Sequence, residues 1–134
     1  MWLLDTNICI YLIKRRPERV LDRLRALDVA TVGVSSITVA ELQYGVAKSS
    51  RPEHNALALA ALLAPLDVLP FDDAAAAAYG VVRADLERAG TPIGAMDLLI
   101  AAHARVLGRT LVTNNVREFS RVPGLKVENW AEAP

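Results

Sequence analysis

Short apolar runs alternate with longer helical segments along this chain, and no other feature restricts its fold as strongly. Five short runs, most of them β-branched or apolar, predict strands at residues 2–5, 31–35, 67–71, 110–113 and 125–128. Helical patterns lie between them, at residues 7–14, 17–27, 38–48, 53–64, 73–89 and 96–107. Strands that alternate with helices favour a parallel sheet covered on both faces. We therefore predict an α/β fold with a mostly parallel central sheet of about five strands flanked by helices.

Particular residues mark the boundaries of these elements. Pro70 has no backbone N–H to donate, which indicates an edge position for the third strand. Pro17 is of a type favoured in the first turn of a helix. The pair Asp72 and Asp73 is typical of a helix start, and Gly90 is typical of the position after a helix end.

Composition excludes several classes of protein. A chain of 134 residues with 53% apolar residues is long enough for one domain with a sizeable core. Lys and Arg total 15 and so do Asp and Glu, which excludes a uniformly basic nucleic-acid coat. Cys9 is the only cysteine, so neither a disulfide framework nor a cysteine zinc site can form within the chain. With no signal peptide and no membrane-spanning run, we expect a soluble cytoplasmic protein.

Three acidic residues lie where sheets of this kind build sites, beyond strand ends and at helix starts. Asp5 ends the first predicted strand, where it can also cap the next helix. Glu41 lies three residues after Thr38, a spacing typical of a capping box. Asp97 falls in the first turn of an apolar helix, where the helix dipole favours a negative charge. Each acid therefore has a structural explanation that stays open beside a functional one.

A fourth polar stretch follows the fourth predicted strand. Thr113, Asn114 and Asn115 supply short polar groups there, and Glu118 comes three residues later. Turn and cap chemistry explains these residues as well. Carboxylates that gather at one edge repel one another unless a proton or a cation neutralises them. Oxygen ligands without cysteine or paired histidine suit Mg²⁺ or Mn²⁺ rather than Zn²⁺.

The remaining residues of chemical interest have simpler interpretations. His103 on its apolar helix and Cys9 in its apolar run are predicted to pack in the protein rather than to bind ligands. Two groups of basic residues would suit a phosphate backbone if they lie beside the acids. The first is residues 14–19 with Arg23 and Arg25, and the second is Arg105, Arg109, Arg117 and Arg121.

Four motifs together resemble the PIN-domain ribonucleases, and among them the VapC toxins of bacterial toxin–antitoxin pairs. "LLDTNICIYLIK" carries Asp5, "SSITVAELQYGVAKS" carries Glu41, "GTPIGAMDLLIAAHA" carries Asp97, and "LVTNNVREFSRVPGLKVENW" resembles the closing motif. The resemblance covers nearly the whole chain, with the motifs in the family's order. It departs at Asn115, where many PIN domains have an aspartate, and Glu118 is then the candidate for the fourth acid.

The resemblance implies a fold and a site. It implies an α/β/α PIN fold over residues 1–134 as a single domain, with a mostly parallel sheet. It also implies Mg²⁺- or Mn²⁺-dependent cleavage of RNA by Asp5, Glu41, Asp97 and Glu118, the first three of which would bind the metal. The residues that would orient ligands or water are Thr6, Asn7, Thr113 and Asn115.

The resemblance also implies partners. The VapC branch that this sequence resembles implies a homodimer that cleaves structured RNA, at the anticodon loop of initiator tRNA, and thereby inhibits translation. Its partner would be a small VapB antitoxin that blocks the active site. Operator DNA would be bound only through the antitoxin.

Other functions fit the sequence less well. A PIN-like module that binds protein or RNA without catalysis is the main alternative, and the presence of Asp5, Glu41 and Asp97 argues against it. A haloacid-dehalogenase-type phosphatase would need a second aspartate where Asn7 stands. A receiver-type phosphoacceptor would need a lysine late in the sheet, and "TLVTNN" contains none.

Overall fold

The central sheet of the computed structural model, which describes residues 1–132, has five strands that all run parallel. The strands are β1 Trp2–Leu4, β2 Val32–Ser35, β3 Asp67–Leu69, β4 Thr110–Val112 and β5 Val127–Glu128. Their order across the sheet is β3-β2-β1-β4-β5, so β1 is central. The predicted parallel sheet is confirmed, and β3, which ends just before Pro70, is an edge strand as predicted.

Seven helices connect and cover these strands within residues 1–132. They are α1 Thr6–Lys14, α2 Glu18–Arg25, α3 Ser36–Ala47, α4 Pro52–Leu63, α5 Asp73–Arg88, α6 Ala95–Leu107 and α7 Val116–Phe119. The four-residue α7 was not predicted, because so short a helix carries no periodic pattern. In this part of the chain, none of the helices has the length and apolar character needed to cross a bilayer.

Helices lie on both faces of the sheet. Successive residues of a strand point to opposite faces, and here the residues on both faces are apolar and have to be covered. Leu3 and Leu4 of β1 are both fully buried, yet they belong to different apolar clusters. Leu4 packs with Ile8 of α1 and Leu59 of α4, whereas Leu3 packs with Ile100 of α6. The predicted α/β/α arrangement is therefore confirmed.

Two helices begin differently from the prediction. Helix α3 is capped by Ser35, whose Oγ accepts a hydrogen bond from the Ile37 N–H at 3.1 Å. The capping box predicted from Thr38 and Glu41 is wrong, because Thr38 already lies inside the helix and is fully buried. Helix α2 begins at Glu18, and Pro17 is its N-cap in extended backbone rather than a residue of its first turn.

Helix α5 begins and ends as its sequence predicts. Asp72 caps it, with Oδ1 accepting from the Ala75 N–H at 3.0 Å. Gly90, two residues past its last turn, has a φ of 69°, a conformation that residues with a Cβ rarely adopt. This junction directs the chain back towards α6.

Gly33 lies in the interior of the sheet, where a side chain would collide with its neighbours. A Cβ at this position would lie 2.9 Å from Nη1 of Arg109, 3.0 Å from Cδ1 of Leu69 and 3.1 Å from the Asp67 carbonyl oxygen. We expect Gly33→Val to lower the free energy of unfolding by about 1–3 kcal/mol through overpacking, measured by urea denaturation. Gly80→Ala in α5 is the control, since a Cβ there meets nothing within 4 Å, and it should be neutral or stabilising. An unchanged midpoint for Gly33→Val would contradict this account.

Candidate active site

The predicted acids come together at the carboxyl edge of the sheet. Leu4 of β1 is in register with Val34 of β2 and with Val112 of β4, so β1 and β4 end at the same level and β2 runs one residue further. Asp5 and Thr113 are the first residues beyond two of these ends. The other acids are placed by the helices that follow. We call this group the acidic centre, and its members are Asp5, Glu41, Asp97 and Glu118.

Asp5 both caps a helix and carries a poorly compensated charge. It is 4% exposed, and its Oδ1 accepts from the Ile8 N–H at 2.9 Å, which confirms it as the N-cap of α1. Burial, and to a lesser degree the charge of Glu41, raise the pKa of Asp5 to about 6. The Thr113 hydroxyl and the Ile8 N–H act in the opposite direction and offset only part of this increase. The cap alone therefore does not compensate the carboxylate.

Glu41 is held near Asp5 by a hydrogen bond from Thr6, the residue that follows Asp5 in the chain. Oγ1 of Thr6 donates to Oε1 of Glu41 at 2.7 Å and lies 3.4 Å from Oγ1 of Thr38. Thr38 was interpreted from the sequence as a helix cap and was missed as a neighbour of the site. A residue three positions before Glu41 lies on the same face of α3, and this spacing could have identified Thr38 as a neighbour of the site.

Asp97 and Glu118 form a second pair of acids. The pKa of Asp97 is raised to about 6, first by burial, next by the charge and hydrogen bonding of Glu118, and then by the charges of Asp5 and Glu41. Oε1 of Glu118 accepts from the Gly94 N–H at 2.9 Å. A Cβ on Gly94 would lie 3.7 Å from both Oδ2 of Asp97 and Oε1 of Glu118. The two carboxylates therefore converge on the turn before α6.

Asn115 and Thr113 hold Glu118 in place. Nδ2 of Asn115 donates to Oε2 of Glu118 at 2.6 Å, and the Asn115 N–H donates to Oγ1 of Thr113 at 3.0 Å. The carboxylate beside Asp97 at the fourth motif is thus that of Glu118, while Asn115 contacts it from the side. Thr113 is fully buried at the end of β4.

Asn7 lies at the rim of the site rather than among the carboxylates. Its exposed side chain donates from Nδ2 to Oδ1 of Asn114 at 3.5 Å, whereas its backbone N–H lowers the pKa of Asp5. Nδ2 of Asn114 donates in turn to Oη of Tyr11 at 2.7 Å. Tyr11 was missed from the sequence, although it follows Asn7 by one helical turn.

The two groups of basic residues are placed differently. Residues 14–19 are exposed at the far end of α1, about 13 Å along the helix from Asp5. Arg117 is exposed and adjacent in sequence to Glu118, and Arg121 donates to the backbone carbonyl of Pro92 at 3.0 Å. Arg117 is thus next to a member of the acidic centre in the chain, and Arg121 lies beside the segment that precedes α6.

The acidic centre fits a hard divalent cation in donor type and in charge. All its donors are carboxylate oxygens, which Mg²⁺ and Mn²⁺ prefer. None of the ion pairs within residues 1–132 involves any of these acids, so no lysine or arginine there neutralises them. In the same residues no group of three or more aspartate, glutamate, histidine or cysteine side chains is arranged so that it could hold a metal ion together. The acids are thus two repelling pairs whose charge a shared cation would offset.

His103 and Cys9 are packed inside the protein, as predicted. His103 is 1% exposed, with Nδ1 2.8 Å from Oγ of Ser35 and its ring edge-on to Phe71. Cys9 is fully buried in the core, and burial raises the pKa of its thiol well above the ordinary value. Neither side chain belongs to the acidic centre.

Similarity to known proteins extends over nearly the whole chain. The PIN domain family matches residues 2–125. The tRNA(fMet)-specific endonuclease VapC of Salmonella typhimurium is 45% identical over 129 residues, covering 96% of this chain and 97% of that protein. The crystal structure of DNA-bound VapBC from Salmonella typhimurium matches with a TM-score of 0.92 and 44% identity, covering 96% of this chain and 97% of that one. The crystal structure of VapBC2 from Rickettsia felis, bound to a DNA fragment from the promoter, matches with a TM-score of 0.91 and 45% identity. The match covers 96% of this chain and 98% of that one. This chain therefore belongs to the PIN-domain family, in its VapC branch of ribonucleases.

Proposed function

We propose that this protein is a Mg²⁺- or Mn²⁺-dependent endoribonuclease toxin that a VapB antitoxin neutralises. The observation that carries the proposal is the acidic centre, in which burial and the neighbouring carboxylates raise the pKa of Asp5 and of Asp97, while no ion pair within residues 1–132 involves any of the four acids. Membership of the VapC branch supports cleavage of RNA as the reaction, and the carboxylate oxygens of the acidic centre support Mg²⁺ or Mn²⁺ as the metal.

In the proposed reaction Asp5, Asp97 and Glu41 would hold the cation. When bound, it would lower the pKa of a water molecule and offset the negative charge that grows on the phosphate oxygens. The Thr6 hydroxyl would keep Glu41 oriented through the bond at 2.7 Å. A carboxylate of the acidic centre, either Glu41 or Glu118, would accept the proton of the attacking water.

The Gly94 N–H and Asn115 would hold Glu118 beside Asp97, because each donates to a different oxygen of its carboxylate. Arg117, which is adjacent to Glu118 in the chain, and Arg121, which contacts Pro92 before α6, would contact phosphates of the RNA. The rim of the acidic centre is formed by a hydrogen-bonded group of side chains, Asn7, Asn114 and Tyr11.

For the substrate we propose the anticodon loop of initiator tRNA, so that cleavage would inhibit translation. The support is the relative from Salmonella typhimurium, which is named a tRNA(fMet)-specific endonuclease and is 45% identical. Two VapBC complexes of similar fold, from Rickettsia felis and Salmonella typhimurium, are bound to DNA. We accordingly propose a homodimer that pairs with VapB in the cytoplasm and contacts operator DNA through the antitoxin.

Hydrolysis by a water molecule predicts the chemistry of the RNA ends. Purified protein with Mg²⁺ or Mn²⁺ should leave a 5′-phosphate and a free 3′-hydroxyl, and chelation of the metal by EDTA should stop cleavage. Brief induction in cells, followed by mapping of new 5′-phosphate ends, would identify the RNA and the cut site. A 2′,3′-cyclic phosphate among the products of the purified protein would contradict the mechanism.

Calorimetry with Mn²⁺ separates this function from that of a catalytically inactive PIN-like binding module. The wild-type protein should bind the ion, and Asp5→Asn should weaken that binding. A wild type that binds no Mn²⁺, or binding that Asp5→Asn leaves unchanged, would favour the inactive module.

A further inference from the structure

A buried hydrogen bond joins the two helices that carry Glu41 and Asp97. His103 of α6 is 1% exposed, and its Nδ1 lies 2.8 Å from Oγ of Ser35. Ser35 is fully buried and caps α3 through the Ile37 N–H. The bond therefore connects the middle of α6 to the start of α3, and the reaction proposed above makes no use of it.

Packing alone does not require a histidine at this position. Leu98, Ile100 and Ala102 on the same helix are buried and apolar, and the ring of Phe71 contacts the imidazole edge-on with centroids 5.4 Å apart. Burying a polar ring costs free energy unless a hydrogen bond compensates for it, and a leucine would occupy a similar space without that cost. What the histidine adds is a directional bond, which restricts the distance and angle between α3 and α6.

The position of the bond gives it influence over the acidic centre. Glu41 follows Ser35 by six residues, and Asp97 precedes His103 by six. Six residues correspond to about 9 Å along a helix, so a rotation of about 5° at the bond would move either carboxylate by about 0.8 Å. Displacements of about 1 Å in a reacting group lower rates by about 100-fold.

We propose that His103 is a positioning residue, which sets the separation of Glu41 and Asp97 through Ser35 and so fits the acidic centre to its cation. This inference rests on the proposed metal-dependent function and extends it to two buried residues outside the acidic centre. The bond spans 68 positions of the chain, between two helices that each carry one acid.

The test compares three variants of the full chain. His103→Leu removes the hydrogen bond and nearly preserves the volume. His103→Asn keeps a polar atom close to the position of Nδ1. Ile100→Val is the control, because it removes one buried carbon atom from α6 without touching the pair. The free energy of unfolding is measured for each, so that effects on the site are separated from effects on stability.

The readouts are the Mn²⁺ affinity, from calorimetry with Mn²⁺ alone, and kcat and KM on a transcript carrying the mapped cut site. We expect His103→Leu to weaken Mn²⁺ binding and to lower kcat by about tenfold or more, the range seen when residues that orient metal ligands are replaced. KM should stay within about twofold, since the RNA-binding surface is untouched. His103→Asn should recover most of both losses, and Ile100→Val should match the wild type. Equal values for His103→Leu and Ile100→Val would overturn the proposal.

If His103→Leu does not fold, the same comparison is made with variants of Ser35, the partner of His103 in the hydrogen bond. Ser35→Ala removes the partner hydroxyl, and with it the cap of α3, and should show the losses, whereas Ser35→Thr keeps a hydroxyl for both bonds and should not. Equal Mn²⁺ affinity and kcat in these two variants would overturn the proposal. A wild type that neither binds Mn²⁺ nor cleaves RNA would overturn the proposed function, and this inference with it. An active wild type with an unimpaired His103→Leu would overturn this inference alone.

Discussion

Asp97→Asn is expected to lower the rate of RNA cleavage by about 100-fold or more, while the chain still folds. Asparagine has nearly the shape of aspartate but carries no charge, so it would bind the cation more weakly than the carboxylate does. Asp97 contributes to the acidic centre from the first turn of α6, where it lies beside Glu118. The loss should therefore be chemical rather than structural, and it is measured as kcat/KM at saturating Mg²⁺.

The control for this prediction is Asp22→Asn, which removes one negative charge from the exposed face of α2. It should cleave RNA at the wild-type rate. Circular dichroism and thermal unfolding would establish that both variants fold. Cleavage by Asp97→Asn at the rate of Asp22→Asn would mean that the acidic centre is not where the reaction takes place.

Without metal, the protein should be more stable at pH 5 than at pH 8, and Asp5 should be a main cause. Its pKa is about 6 in the folded chain, compared with 3.8 for an unperturbed aspartate. Between these values the folded state holds a proton that the unfolded state has released, so stability falls as pH rises from about 4 through about 6. A difference of about 2 pKa units corresponds to about 3 kcal/mol. Deprotonated Asp5 thus destabilises the metal-free fold at neutral and higher pH.

Asp5→Asn isolates this contribution. The amide oxygen of asparagine can still accept from the Ile8 N–H, so the cap of α1 should remain. In EDTA the variant should have a higher Tm than the wild type at pH 8, and its Tm should depend less on pH between 4 and 8. Asp22→Asn should follow the wild type across this range. Parallel Tm–pH curves for wild type and Asp5→Asn would refute the account.

Much of the acidic centre was predictable because its members occupy positions with local signatures. Asp5 directly follows a buried strand, and Asp97 opens an apolar helix. Glu41 shows the limit of local reasoning. Its spacing from Thr38 favoured a capping box, but Ser35 provides the cap, and the Glu41 carboxylate accepts from Thr6 instead. That contact joins residues 35 positions apart, which no local pattern encodes.

The sequence by itself determined the types of the main elements and the parallel sheet, and it singled out the candidate acids, Glu118 only through the resemblance to PIN domains. The elements and the sheet follow from periodicity and residue type within short windows, where backbone geometry imposes the pattern. Only the tertiary structure decided which groups meet. The strand order places β1 between β2 and β4, which brings Thr6 to Glu41, pairs Asp97 with Glu118 and links Ser35 to His103. Such contacts depend on how distant segments pack, and burial rather than residue type then raises the pKa of Asp5.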